Sequence, residues 1–268
     1  MIPAQRRAVL LDFIQQRGAA SIKELARHSS FSESTVRRDL DFLNRHGYLQ
    51  RSYGGANLPT LPSTTFEPDF AIGVHQNHEA KRAIGKLAAG RVENGWSVIF
   101  DSSSTVLEAA KEVVKRGVRV TALTNDLNVA MLFAPISHAG LVVPGGTLRQ
   151  GSHTLVGEPG GDFLDRIHVD IAFVGVHSIA DRSLSDTSIE VVTTKRKLIR
   201  ASRRVVVLAD ASKFGLAAFC EITTLEKVDE LITDSRISSE QLEAARAHGA
   251  TVTVAGAPAD LQAAGAPE

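Results

Sequence analysis

The stretch from Ser21 to Ala56 constrains the fold most, because it crowds three helix boundaries and a glycine turn into a short span. Ser21-Ile22-Lys23-Glu24 has the form of a capping box, in which the serine caps a helix and the glutamate returns a bond to the serine backbone. The helix it opens is short and turns Leu25 and Ala26 inward. Ser29 to Phe31 form a tight connection. Ser32 caps a third helix, predicted to run to about His46 with Gly47 as its stop. Upstream, Val9, Leu10, Phe13 and Ile14 share one face of a first helix that ends at Gly18. Downstream, Tyr48 to Ala56 reads as a strand, a glycine turn and a short return. Three short helices followed by a hairpin predict a winged helix-turn-helix over residues 1–57.

The third helix carries the chemistry. Val36, Leu40 and Leu43 point one way, while Ser34, Arg38, Asp41 and Arg45 point the other, with Thr35 and Arg37 on the flanks. A recognition helix offers its first turns to the major groove, and arginine suits a bidentate contact to guanine or to a phosphate. The candidate DNA contacts are therefore Ser32, Ser34, Thr35, Arg37, Arg38 and Arg45, with Arg51 in the wing. Arg38 is assigned to base edges, Arg37 with Thr35 to the backbone or groove edge, and Arg51 to a phosphate or the minor groove. Asp41 lies at helical spacing from Arg38 and Arg45 and is predicted to pair with both. Charge agrees: residues 1–57 hold nine basic and five acidic residues, in a chain whose 30 bases and 30 acids balance. A basic head on an acidic body suits a polyanionic partner. Periodicity alone also fits a small helical bundle with a solvated charged face.

The run Ser32-Glu33-Ser34-Thr35-Val36-Arg37-Arg38-Asp39-Leu40, then Gly47-Tyr48-Leu49 and Arg51-Ser52-Tyr53-Gly54-Gly55-Ala56, resembles the signature of the DeoR family of bacterial regulators. That signature is a serine, a T-[IV]-R-R-D-L core and a following G-x-L-x-R-x-x-G-G-A. The resemblance implies a transcriptional regulator that binds double-stranded operator DNA.

Residues 58–70 contain Pro59, Pro62 and Pro68 among small polar residues and are predicted to be a linker. The body, 71–255, alternates strand and helix signals. Strands are expected at 97–101, 118–124, 141–144, 169–174, 204–209, 231–233 and 251–254. Helices are expected at 105–116, 127–133 and 191–201. Such alternation predicts a Rossmann-like α/β domain with a mostly parallel sheet, which binds ligands at the carboxyl ends of its strands. Residues 256–268, rich in Ala, Gly and Pro, are expected to form a flexible tail.

Four loops fall at those strand ends. Asp101-Ser102-Ser103-Ser104-Thr105 opens a helix with clustered hydroxyls, a favourable place for an anion. Thr124 and Asn125 leave the next strand, and Gly145 and Gly146 leave a third, where a ligand could approach bare backbone. Asp210 to Gly215 leaves a fourth and offers Lys213 as a cation. Together they suit a phosphorylated sugar or polyol. Taken singly, the hydroxyl cluster also reads as a helix cap, Lys213 as a surface lysine and the glycine pair as an ordinary turn.

These loops resemble the effector domain of the same family, whose pattern is D-x-G-[ST]-T, T-N, G-G-x-[LV]-[RN] and D-x-[ST]-K-[FW]-G. Here the counterparts are 101–105, Thr124-Asn125, 145–149 and 210–215, with Ser103 where glycine is usual. The resemblance implies a phosphorylated inducer among these loops, with Lys81 as a further effector contact. Gly151 to Gly157 and the run from Glu190 through Lys195 and Arg196 resemble the glycerol-3-phosphate repressor branch, displaced by one residue.

The resembling domain is similar in fold to ribose-5-phosphate isomerases and glucosamine-phosphate deaminases, so a sugar-phosphate enzyme is the rival reading. Proton shuttling needs a placed acid. The central strand here leads into Val174-Gly175-Val176-His177-Ser178-Ile179, with no carboxylate before Asp181, and no catalytic residue is assigned. An activator is a further alternative to a repressor. No cofactor or metal is predicted: His75 and His78 lack a third ligand, and Cys220 stands alone. No apolar run is long enough to span a bilayer. The expectation is a cytoplasmic homo-oligomer, dimer or tetramer, repressing carbohydrate or polyol genes until a phosphorylated ligand relieves it.

Overall fold

Residues 1–61 and 63–256 are described by the computed structural model. They form two units, Met1–His78 and a second beginning at Glu79.

In the first unit, α1 (Pro3–Arg17) starts on a proline, whose missing N–H costs a helix start nothing, and stops at Gly18. A three-residue strand, β1 (Ala19–Ser21), follows. The capping box of Ser21 and Glu24 is complete and opens α2 (Ile22–Ser29). Ser32 accepts the Thr35 N–H and opens α3 (Glu33–Arg45). The wing is β2 (Gln50–Ser52) and β3 (Gly55–Asn57), and β3 pairs antiparallel with both β2 and β1. A Cβ on Gly55 would lie 2.3 Å from the Ala20 carbonyl oxygen, so that crossing requires glycine. Leu10, Leu11, Ile14, Leu25, Val36, Leu40 and Leu43 form the core. Strand β1 escapes sequence reading because Ala-Ala-Ser has no alternation to detect.

The stretch predicted as a linker is instead part of this unit. Leu58 and Phe66 lie against the head core, and Phe66 meets Tyr48 edge-on at 5.1 Å. The Asp69 N–H donates to the Tyr48 hydroxyl at 2.6 Å and caps α4 (Phe70–Gly73), whose Ile72 is buried in the same core. Leu58, Phe66 and Ile72 find cover on the head, while Leu61 stays exposed, so the predicted boundary at residue 57 moves to His78. Pro62 and residues 257–268, which include almost all of the expected tail, lie outside the described residues.

The second unit runs α5 (His78–Ala89), β4 (Ser97–Phe100), α6 (Ser104–Arg116), β5 (Thr121–Thr124), α7 (Leu127–Phe133) and β6 (Gly140–Val142). A hairpin of β7 (Thr147–Leu148) and β8 (Leu155–Val156) precedes α8 (Gly160–Leu164) and β9 (Val169–Gly175). Then come β10 (Ser178–Ala180), β11 (Ser183–Asp186), α9 (Ile189–Arg200), β12 (Ser202–Leu208) and β13 (Cys220–Thr224). The last elements are β14 (Glu230–Asp234), α10 (Ser239–Ala247) and β15 (Val252–Ala255). The main sheet has the order β15-β14-β12-β9-β4-β5-β6, with every pairing parallel. From β4 the chain steps outward to β6, then returns to build the other half from β9. The order therefore reverses between β4 and β9, where open α/β sheets leave a crevice. A second antiparallel sheet, β10-β11-β13, leaves little trace in the sequence, because its short strands are rich in Ser and Thr and lack clean alternation.

Candidate functional site

On the head, α3 exposes the polar stripe expected of it. Ser34, Arg37, Arg38 and Arg45 are exposed, while Val36, Leu40 and Leu43 are buried. Ser32 is engaged as the cap, within 3.0 Å of the Ser34 and Thr35 hydroxyls. Arg37 pairs with Glu33 at 3.3 Å, a loose surface contact. Asp41 does not hold Arg38 and Arg45, whose Nε groups turn to the backbone carbonyls of Ser34 and Asp41. Its carboxylate meets Arg51 at 3.4 Å, because the wing folds back across this face.

Sequence reasoning missed Asp39. It is 2 % exposed and receives both Arg6 and Arg7 of α1. The Arg7 guanidinium also lies 3.4 Å from the centre of the Phe42 ring. The hydrogen bond to Asp39 holds Arg6 above the usual arginine range against the opposing pull of burial. Asp39 thus ties α3 to α1, while Arg37 and Arg38 beside it point outward.

In the second unit the strand ends bring most of the predicted residues together. Ser103 caps α6, accepting the Thr105 N–H at 3.2 Å, with Ser104 in the first turn and Thr105 buried. Ser102 donates to Asp126 at 3.0 Å and meets the Thr154 hydroxyl at 2.5 Å. Thr124 is fully buried; its hydroxyl donates to the Phe100 carbonyl and accepts the Asp126 N–H. Asn125 donates to the Leu155 carbonyl at 3.2 Å, and its Oδ1 is buried with no hydrogen-bond partner among the described residues.

Asp101 is buried at the reversal point. One oxygen accepts the Gly175 N–H at 3.0 Å and is ion-paired to Lys195, while Oδ1 has no partner among the described residues. Burial pushes the Asp101 carboxyl above its usual range, opposed by the charge and hydrogen bond of Lys195. Lys195 is 2 % exposed, donates to the Gly175 carbonyl at 2.7 Å and lies 3.8 Å from Asp186. In the sequence, Lys195 enters only through the resemblance to the glycerol-3-phosphate repressor branch. The available signal was its place between Val192 and Leu198, on the apolar face of α9.

Gly145 and Gly146 lie against the protein's own backbone. A Cβ on Gly146 would strike the Val156 carbonyl at 2.6 Å, and the Gly145 carbonyl lies 2.5 Å from where a Cβ on Gly160 would stand. These glycines admit the protein's own chain. Ser103 lies against Gly175, where a Cβ would meet the Ser103 Cβ at 2.3 Å. Lys213 sits in a short 3-10 turn after β12, two strands from β4, and is half-buried. Lys81 is buried on α5, one turn before Gly85, where α5 touches the α6 backbone. After β9, Val176, His177 and Ser178 bring no carboxylate, and Asp186 is held by the Thr187 N–H at 2.8 Å.

Among known families, the DeoR-like helix-turn-helix domain matches residues 6–61 and the DeoR C-terminal sensor domain matches residues 76–235. The HTH-type transcriptional regulator GlpR of Haloferax volcanii is 30 % identical, over 94 % of this chain and 98 % of its own length. The glycerol-3-phosphate regulon repressor of Escherichia coli is 31 % identical, over 88 % of this chain and 92 % of its own. A ribose-5-phosphate isomerase A of Methanocaldococcus jannaschii superposes on 52 % of this chain and 56 % of its own, with a TM-score of 0.39 and 20 % identity. With a family match over each unit and relatives aligned along nearly their whole length, the chain belongs to the DeoR family of transcriptional regulators.

Proposed function

We propose that the protein represses transcription from an operator, and that a phosphorylated sugar or polyol bound at the strand ends of the second unit relieves that repression. One observation carries the effector reading. The first turn of α6 offers backbone N–H donors to an anion, and beside it two buried oxygens, Asp101 Oδ1 and Asn125 Oδ1, have no partner among the described residues. Donors for a phosphate next to acceptors for hydroxyls describe a phosphorylated polyol. The name of the glycerol-3-phosphate regulon repressor, a relative aligned over most of the chain, supports the same class. Ser102, Ser103 and Ser104 would line the phosphate end, backed by the buried Thr105 and Thr124, with Lys81 and Lys213 as candidate supporting cations. The second unit is also proposed to form the homo-oligomer.

Calorimetric titration of the full-length protein tests the effector reading. The probes are glycerol 3-phosphate and a set of sugar phosphates, each beside its unphosphorylated counterpart. Binding confined to phosphorylated members, and abolished by Ser104→Asp, is the expected result. Wild-type affinity in that variant would place the site elsewhere, and no binding by any member would exclude the ligand class.

A further inference from the structure

We propose that Tyr53 is the wing's contact to DNA, its phenol reaching the sugar–phosphate backbone beside the groove that α3 enters, and that Arg51 positions the wing. The proposal rests on the DNA-binding function of the head.

The wing is small. Its two strands have three residues each and are joined by Tyr53 and Gly54 alone, with Ser52 paired to Gly55. Three residues of strand span only about 10 Å. A hairpin so short brings little backbone to a neighbouring groove, so its reach depends on the side chain at the tip. That side chain is a fully exposed tyrosine. It makes no hydrogen bond and no ring contact among the described residues.

The base of Tyr53 is fixed although its ring is free. The Gly54 carbonyl accepts the Ile22 N–H at 2.9 Å, Gly54 takes a φ of +83°, and Gly55 lies under the Ala20 carbonyl. Presenting a tyrosine from such a turn costs little conformational entropy, since only two side-chain torsions remain to be ordered. The surroundings suit a polyanion. Ile22 leads directly into exposed Lys23, and the wing's other end is tied to α3, which exposes Arg37, Arg38 and Arg45.

Arg51, the residue that sequence alone singles out for the wing, is turned the other way. Its backbone N–H donates to Asn44 Oδ1 at 3.1 Å and its Nε faces Asp41 at 3.4 Å. Its Nη1 is buried without a partner among the described residues. A guanidinium folded onto α3 sets the angle of the hairpin, while the tip carries the contact. Because a backbone contact reads no base, Tyr53 adds affinity to every sequence alike.

The test uses full-length protein and a labelled mixed-sequence duplex, titrated by fluorescence anisotropy at several salt concentrations. Tyr53→Ala is expected to weaken binding roughly five- to tenfold, the size of one modest contact. The slope of log affinity against log salt should not change, because a neutral phenol releases no counterion. Tyr53→Phe should recover part of the loss through the ring. The melting temperature should stay at the wild-type value, since the side chain touches nothing in the fold. Tyr53→Ala binding within twofold of wild type would overturn the contact. The double variant Arg51→Ala/Asp41→Ala tests the other half of the proposal. An unchanged salt slope supports positioning, and a slope reduced by about one would make Arg51 itself the phosphate contact.

Discussion

Asp39 lies in the most basic run of the head, and its carboxylate faces inward to Arg6 and Arg7. Replacing it with alanine leaves two guanidinium groups without their shared acceptor. The expected cost is about 1.5–3 kcal/mol, the range for hydrogen bonds to charged groups, read as a lower melting temperature. Asparagine should recover part of it, because shape and one acceptor remain. Arg38 is the opposite case: exposed, with only a loose bond to the Ser34 carbonyl. Arg38→Ala should leave stability unchanged, weaken operator binding by about 1–3 kcal/mol and relax preference at one base position. An affinity equal to wild type would remove Arg38 from the interface. A coupled pair, Gly175 and Ser103, sits at the reversal point of the sheet. Gly175→Ala drives a methyl into Ser103 and should cost about 1–3 kcal/mol as overpacking. Adding Ser103→Gly should restore most of that loss, a coupling that chemical denaturation of the single and double variants would measure.

Elements, more than single residues, decide what could be read in advance. The long apolar strands of the main sheet, such as Val205 to Leu208 in β12, announce themselves, and so do helices with clear caps, such as α7 with Asp126. What stayed hidden had weak local signal: β1, the Ser-rich β10 and β11, and the segment from Leu58 to Ile72, whose prolines concealed its apolar contacts with the head. The candidate site divided in the same way. Ser102 to Thr105 and Thr124-Asn125 follow from strand-end logic, whereas Lys195 approaches from α9 and is joined to Asp101 only by the fold. Charged residues also tie elements at the other end of the sheet. Glu230 of β14 receives Arg91, which follows α5, Arg204 of β12 and Thr253 of β15. Burial pushes its carboxyl up, but the hydrogen bonds of Arg91 and Thr253 and both arginine charges hold it below the usual glutamate range. A depressed carboxyl stabilises the fold above its unfolded value, about 4.3, and that stabilisation disappears as pH falls through the folded value. Unfolding of the second unit followed by Trp96 fluorescence, the single tryptophan, should therefore lose stability below about pH 4. Glu230→Gln should lower stability at neutral pH and flatten that acid limb. An acid limb unchanged in the variant would assign the dependence to other carboxylates.

The whole molecule joins a basic DNA-binding unit to an acidic sensor unit in a chain with no net charge. Attraction to DNA therefore belongs to one end, and operator affinity should fall steeply with salt as several phosphates are neutralised. A ligand in the sensor can change that affinity only by binding two states of the protein unequally. The most direct measurement is a DNA-binding titration on the region upstream of the protein's own gene, with and without phosphorylated sugars and polyols, repeated with the Ser104→Asp variant. The account predicts a specific complex that one phosphorylated compound dissociates, and a variant that binds the same DNA but no longer responds. A specific complex that no phosphorylated compound alters, or a variant released as readily as wild type, would contradict the sensor site described at the ends of β4 and β5.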